Sequence, residues 1–285
     1  MPIPYFLMVP LLLAAVANNP SSNLDKIEQA RQILNEGVTS NNPNSRKEAA
    51  LAIGLVGQHE HAATLLISLL QDKDVQVRVA ATDSLTDLRD KRAIPALTSA
   101  LNDPVPEVAF AAAKALWAMK QPIGEEALLS VLEGQTKGKS NPVRRQFRER
   151  LRTVKIPKSA LLFALKEGFG FIPVPGVGAG FAAMESLFWD TSLSPRASVA
   201  LLLAQNHDPK SRDALLQALF DGDWTVRAAA AQAIALRNQP ALGHNLVPLL
   251  DDKNEKVRYR AAAGYLRLVQ LERNAPRRNA GRSGR

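Results

Sequence analysis

The chain has 285 residues, four histidines and no cysteine, which excludes disulfides, thiolate metal sites and cysteine nucleophiles. Its net charge of +9 is unevenly spread: residues 137–158 hold nine Lys or Arg and one acid, residues 272–285 hold five Arg and one acid, and the remainder is net acidic. Hydrophobic residues make up 46% of the chain but aromatics only 5%, a composition suited to helices that pack closely through small side chains.

Tyr5 to Ala17 is an apolar run ending Ala15-Val16-Ala17, followed by Asn18-Asn-Pro-Ser-Ser. Its length and small-residue ending predict a secretory signal over residues 1–17, cleaved after Ala17, and hence a periplasmic or secreted protein. The front of the run carries no Lys or Arg, and the other reading is an apolar capping segment for the first repeat, in a cytoplasmic protein.

From about Leu24 the chain repeats itself. With Arg78 as reference, Asp72 lies six before it, Ala80 and Ala81 follow, and Leu85 stands seven after. A diverged copy centres on Arg46, and another runs from Asp103 to Ala109. The same grammar returns from Asp190 to Arg196, from Asp221 to Arg227 and from Asp252 to Arg258. The spacing is near 31 residues, the signature of a stacked solenoid. Each alanine-rich segment follows a shorter apolar one, such as Ala93–Leu101, Asp213–Phe220 and Leu246–Leu250. The unit is helix, tight turn, helix. In Asp221-Gly-Asp the acids are expected to cap the second helix and Gly222 to adopt positive φ. The Asp72–Arg78, Asp190–Arg196, Asp221–Arg227 and Asp252–Arg258 pairs are expected to form a structural ladder at the turns.

The pattern Ala-Ile-Pro-x-Leu, Leu-x-Asp, Val-Arg-x-x-Ala-Ala over residues 93–116 and 213–236 resembles bacterial HEAT repeats of the phycobilisome-lyase-like type, with the likeness running from about 24 to 271. The resemblance implies an all-α, armadillo-type solenoid of about seven helix pairs in a right-handed superhelix. Repeats one to three occupy 24–120, an irregular basic fourth repeat 121–158, and repeats five to seven 191–271. A basic tail, 272–285, is expected to be disordered.

Two regions depart from the grammar. In the third repeat Ala109 replaces the arginine, and Phe110, Lys114 and Trp117 share one helix face. The two aromatics either pack on the adjoining repeat or form a partner-binding anchor. In the fourth, Arg144, Arg145, Arg148, Arg150 and Arg152 flank an apolar stripe of Val143, Phe147, Leu151 and Val154. That is either a solvated basic face or a segment that meets an anionic surface. Residues 159–190 interrupt the period, and 168–184 carry no charge, two prolines and five glycines. Gly176-Val-Gly-Ala-Gly180 has neither dinucleotide-loop nor P-loop spacing. The insertion reads as a buried plug between two half-solenoids or as a membrane-docking element.

Chemistry is sparse. His59-Glu60-His61 is the one histidine cluster, and a third ligand is not evident. Deoxyhypusine hydroxylase, a HEAT-repeat enzyme, uses several His-Glu pairs where this chain has one. The sequence therefore predicts no enzymatic activity, no cofactor and no metal, but a scaffold for a protein or peptide partner. A peripheral membrane adaptor using 143–154 and 168–184 is the alternative, and nucleic-acid binding through the arginines ranks below it.

Overall fold

A computed structural model describes residues 20–57, 60–132 and 194–275; the signal-like run, the basic segment, the insertion and the end of the tail lie outside the described residues. The described residues are helical, with no strand among them. In chain order the elements are α1 (Pro20–Thr39), α2 (Pro43–Ile53), α3 (Glu60–Leu69), α4 (Val75–Leu88), a 3₁₀ turn (Lys91–Ala93) leading into α5 (Ile94–Ala100), α6 (Pro106–Ala118) and α7 (Pro122–Leu132). After the undescribed stretch come α8 (Pro195–Leu202), α9 (Pro209–Ala218), α10 (Trp224–Leu236), a 3₁₀ segment (Pro240–Asp251) and α11 (Glu255–Asn274).

Most of the second helices start on a side-chain cap; α6, with Val105 at that position, does not. Asp74, Asp223 and Asn254 are the N-caps of α4, α10 and α11, their side chains accepting backbone N–H groups two or three residues on. The Asp six before the arginine is therefore not the cap. It lies one turn earlier, where Asp72 and Asp221 accept the N–H of Asp74 and Asp223, each at 2.8 Å. These side chains hold the turn without left-handed backbone, and Gly222 does not adopt positive φ, contrary to the sequence expectation. Positive φ falls instead eleven residues after the reference arginine position, where the second helix ends: Gly57, Arg89, Lys120 and Asn238. A residue in that conformation stops a helix by turning its N–H back to a late carbonyl, as Arg89 does to Leu85. Leu246–Leu250 falls in the 3₁₀ segment rather than an α-helix, with Pro248, which has no N–H to donate, inside it. The final helix runs to Asn274, past residue 271 where the repeats were expected to end.

The helices form two layers, and their spatial order differs from their chain order. The second helices stack as α8, α10, α11, α2, α4, α6, with the first elements beside them. The carboxy-terminal repeats thus precede the amino-terminal ones, and the last helix packs on α1 and α2. Alanines make this possible: Ala228 to Ala231, Ala233 and Ala235 of α10 are all buried. Gly264 meets Ala235 and Leu246 so closely that a Cβ would lie 2.9 Å from each. At Gly37 a Cβ would come within 2.6 Å of Ala49 and 2.8 Å of Tyr259, which fixes how near α1 approaches α2 and α11.

The junction of α11 with α2 carries charge in its buried centre, where α10 offers alanines instead. Arg260, 1% exposed, donates to Gln232 Oε1, to the Glu48 carbonyl and to Glu48 Oε2, each at 3.2 Å. Lys256 stands 3.6 Å from Glu48, and the Ser45 hydroxyl donates to Glu255 at 2.8 Å. Arg267 donates to the Leu55 carbonyl at 3.0 Å and to Asn238 at 2.8 Å. Burial and the adjacent Glu255 push the Tyr259 hydroxyl up to about 12.

Removing one member of such a buried pair strands the other. Arg260→Ala is expected to destabilise the chain by about 3–5 kcal/mol, measured by urea unfolding. Arg260→Met with Glu48→Leu is expected to recover much of that loss, because neither charge is then left buried.

Candidate functional site

The arginines of the repeats share one geometry. Arg227 Nη1 donates to the carbonyls of Asp221 and Gly222 in its own turn, at 2.8 and 3.2 Å. Its Nε and Nη2 reach forward to both oxygens of Asp252 in the next repeat, at 2.7 and 2.9 Å. Arg78 does the same with the Asp72 and Lys73 carbonyls and Asp103, and Arg46 with the Ser40 and Asn41 carbonyls and Asp72. Arg196 reaches Asp221 at 2.5 Å from a side chain that is 64% exposed. Among the described residues Arg258 makes only the two carbonyl bonds. Asp190 lies outside the described residues.

Each Asp therefore works twice, holding its own turn and receiving the previous repeat's guanidinium. The hydrogen bonds from Arg46 hold the Asp72 carboxyl below its usual range against the cost of burial, and the Asp72 partner raises Arg46 in turn. Burial pushes Asp252 up, but Arg227 and the Asn254 N–H outweigh it and its carboxyl titrates low. At the far end Asp103 receives Arg78, and Ala109 sends nothing onward.

Among the described second helices, large apolar side chains are exposed on α8, where Val199 and Leu202 stand out, and on α6, where the exposed group is aromatic. Trp117 is 45% exposed, Lys114 is exposed and Phe110 is half-buried. The Lys114 ammonium lies over the Phe110 ring at 5.9 Å from its centroid, a cation–π distance. The three residues come together on one face, and of the two readings Trp117 does not take the wholly packed one. Sequence reasoning missed their neighbour Asp83, five residues after Arg78 as Lys114 is five after Ala109. Among the described residues it has no hydrogen-bond or ion-pair partner; burial raises its carboxyl, and the Lys114 charge partly offsets that. The signal was available: at the same offset other repeats place Leu51, Leu201 and Ala263.

A third feature is a groove of about 460 Å³ at the α8 end of the stack, lined by Val199, Ala200, Leu203, Leu215 and Ala218. Arg144, Arg145, Arg148 and Arg152 of the basic segment, with the insertion, lie outside the described residues. His61 sits 3.2 Å from Asn35 Oδ1, and among the described residues no three His, Asp or Glu converge as metal ligands. No described helix is long and apolar enough to cross a membrane.

Comparison with known proteins identifies the repeats. A family model for HEAT repeats matches residues 63–152 and 183–267, more than half of the chain. No curated protein matches. Among solved structures, the chain is similar to human deoxyhypusine hydroxylase at 18% identity and a TM-score of 0.36, covering 89% of this chain and 99% of that one. It is also similar to the complex of CpcE and CpcF of phycocyanin lyase from Nostoc sp. PCC7120 at 17% identity and a TM-score of 0.32, covering 94% and 98%. An engineered protein matches at 17% identity and a TM-score of 0.25, covering 87% and 97%. Likeness this distant says nothing of ligand or reaction in the present chain. It does overturn the expectation that the chain is no enzyme, because a hydroxylase and a lyase are among these similar structures.

Two substitutions probe the ladder. Arg227→Ala is expected to cost on the order of 1.5–3 kcal/mol for its charged hydrogen bonds, and Arg196→Ala about 0–1 kcal/mol because that pair is solvated. Denaturant unfolding of both variants checks the contrast. The depressed Asp72 and Asp252 carboxyls contribute stability above the unfolded value of about 4, lost as pH falls through their folded values.

Asp83 has the opposite sign. Its raised carboxyl means the folded chain holds the proton more tightly, so its contribution falls as pH rises through the window from about 4 upward. Asp83→Asn is expected to raise the melting temperature at pH 7 and to lose that advantage below about pH 4. Equal melting temperatures at pH 7 would show that the carboxylate is well solvated.

Proposed function

The chain belongs to the HEAT-repeat family and is a repeat scaffold, and from that premise we propose that it holds a protein or peptide partner on the face of its second helices, centred on α6. The observation that carries this reading is Trp117. It stands out on a helix whose other face is alanine, valine and leucine buried to 5% exposure or less. Large aromatics left partly in water beside a cation have the composition of interface anchors, and they gain most when a partner excludes water around them. The Lys114 ammonium lies over the Phe110 ring, which puts a positive charge on the same helix face as Trp117. Asp83, with no hydrogen-bond or ion-pair partner among the described residues, adds a carboxylate close enough to feel the Lys114 charge.

Stacked repeats suit this task because surface residues change without disturbing the interfaces beneath them. Lys114 and Trp117 project outward, while Ala112, Ala113, Ala115 and Leu116 fill the core. Export of the chain is part of the proposal and rests on the apolar run Tyr5–Ala17. Amino-terminal sequencing of the mature protein is its test: a chain beginning at Asn18 supports export, and one retaining Met1 or Pro2 removes it.

The interaction is tested by placing a photo-crosslinking amino acid at position 117 and, as control, at exposed Ser99 of α5. Crosslinking of one discrete species from 117 and not from 99 is the expected result. Trp117→Ala is expected to weaken capture of that species by about 2 kcal/mol or more, roughly thirtyfold, with little change in melting temperature. A variant that unfolds, or whose capture is unchanged, would assign Trp117 to packing.

A further inference from the structure

The forward reach of arginine to the next repeat's aspartate recurs along the stack and stops at one junction. Arg196, Arg227, Arg46 and Arg78 each meet a carboxylate. At the seam between α11 and α2 only half of the arrangement is present. Arg258 Nη1 donates to the carbonyls of Asp252 and Lys253 at 2.7 and 3.2 Å, matching the bonds of Arg227 to its own turn. The guanidinium is thus held in the same attitude. Its Nε and Nη2, the edge that elsewhere grips a carboxylate, have no hydrogen-bond partner among the described residues.

The residue at the partner position, six before Arg46, is Ser40. Its hydroxyl accepts the Asn42 N–H at 3.2 Å, as Asp72 accepts the Asp74 N–H at 2.8 Å, so the turn is kept. What is missing is the carboxylate itself. The acids nearby are committed elsewhere. Glu255, one turn before Arg258, accepts from Ser45 at 2.8 Å and Tyr259 at 3.3 Å, while Glu48 serves Arg260 and Lys256. Arg258 and Ser40 are both half-buried, open enough to admit a ligand and shielded enough to strengthen its charge interaction.

We infer that the Arg258–Ser40 junction is a binding site for an exogenous carboxylate, which completes the ladder between the carboxy-terminal and amino-terminal repeats. The planar guanidinium fork matches a carboxylate through two parallel N–H···O bonds. The ligand is either an acidic side chain of a peptide or a small free carboxylate; both present the same two oxygens. Since the site exists only when the carboxy-terminal and amino-terminal repeats are packed together, occupancy stabilises that joint by mass action. The site lies on other helices than the Trp117 face, and neither reading depends on the other.

The full chain is titrated at pH 7 with acetate, chloride being adjusted to hold ionic strength constant, and separately with an end-blocked, otherwise uncharged peptide containing one Asp. Melting temperature is read by differential scanning fluorimetry. It is expected to rise with acetate and with the peptide but not with chloride. Ser40→Asp, which places a carboxylate at the site, is expected to melt higher than the natural chain without ligand and to lose the response to both probes. Arg258→Gln is expected to lose the response as well; should it fail to fold, Ser40→Asp carries the comparison. A peptide effective at a tenfold lower concentration than acetate assigns the site to an acidic chain, and equal potency assigns it to small carboxylates. Identical responses to acetate and chloride, or an acetate response that survives Ser40→Asp, would overturn the inference.

Discussion

The stack depends on an arginine that faces two ways. Its Nη1 closes the turn it belongs to, and its other edge reaches the turn of the next repeat. Because the receiving Asp is also the group that shapes its own turn, a local conformation and an interface between repeats are fixed by the same atoms. Helices built largely of alanine have little side-chain shape with which to set their register. The charged forks supply it, at the edge of the interface, where neither partner is fully desolvated. Buried ion pairs often cost as much as they return; these sit where geometry is fixed but water is near.

That division explains what was legible in the sequence. The repeat, the two-helix unit and the recurring Asp and Arg were readable, because each copy must solve the same packing problem with the same residue types. The direction of pairing was not: a fixed offset of six within each copy suggested a contact inside one turn, whereas the carboxylate contact runs 25 or 26 residues forward. Gly222 misled in a related way, since the side chains of Asp221 and Asp223 already satisfy the turn. The stops at Arg89, Lys120 and Asn238 carry no glycine and gave no signal.

The order of the stack was hidden for a different reason. Periodicity records that repeats resemble one another, not which of them are neighbours. The clue lay at the position two after each reference residue, where Ala80, Ala111 and Ala229 are small. There the first copy has Glu48 and the last has Arg260, opposite charges that make sense only if those two repeats meet. The candidate partner face was half visible: Phe110, Lys114 and Trp117 stood out from the repeat grammar, while Asp83 went unnoticed although other repeats place apolar residues at its offset.

A solenoid whose neighbours in space are neighbours in sequence can fold from any point and grow outward, with every contact local. Here one interface joins residues 212 positions apart. That pairing gives the chain a non-local step, and topology of this kind slows folding because loop closure precedes the contacts that reward it. During synthesis α1 and α2 emerge early and wait with one side uncovered until α11 is made. The newborn chain therefore carries an exposed, charge-bearing surface through most of its elongation. A protein of this design behaves during biogenesis less like a rod that lengthens than like a belt whose buckle is manufactured last.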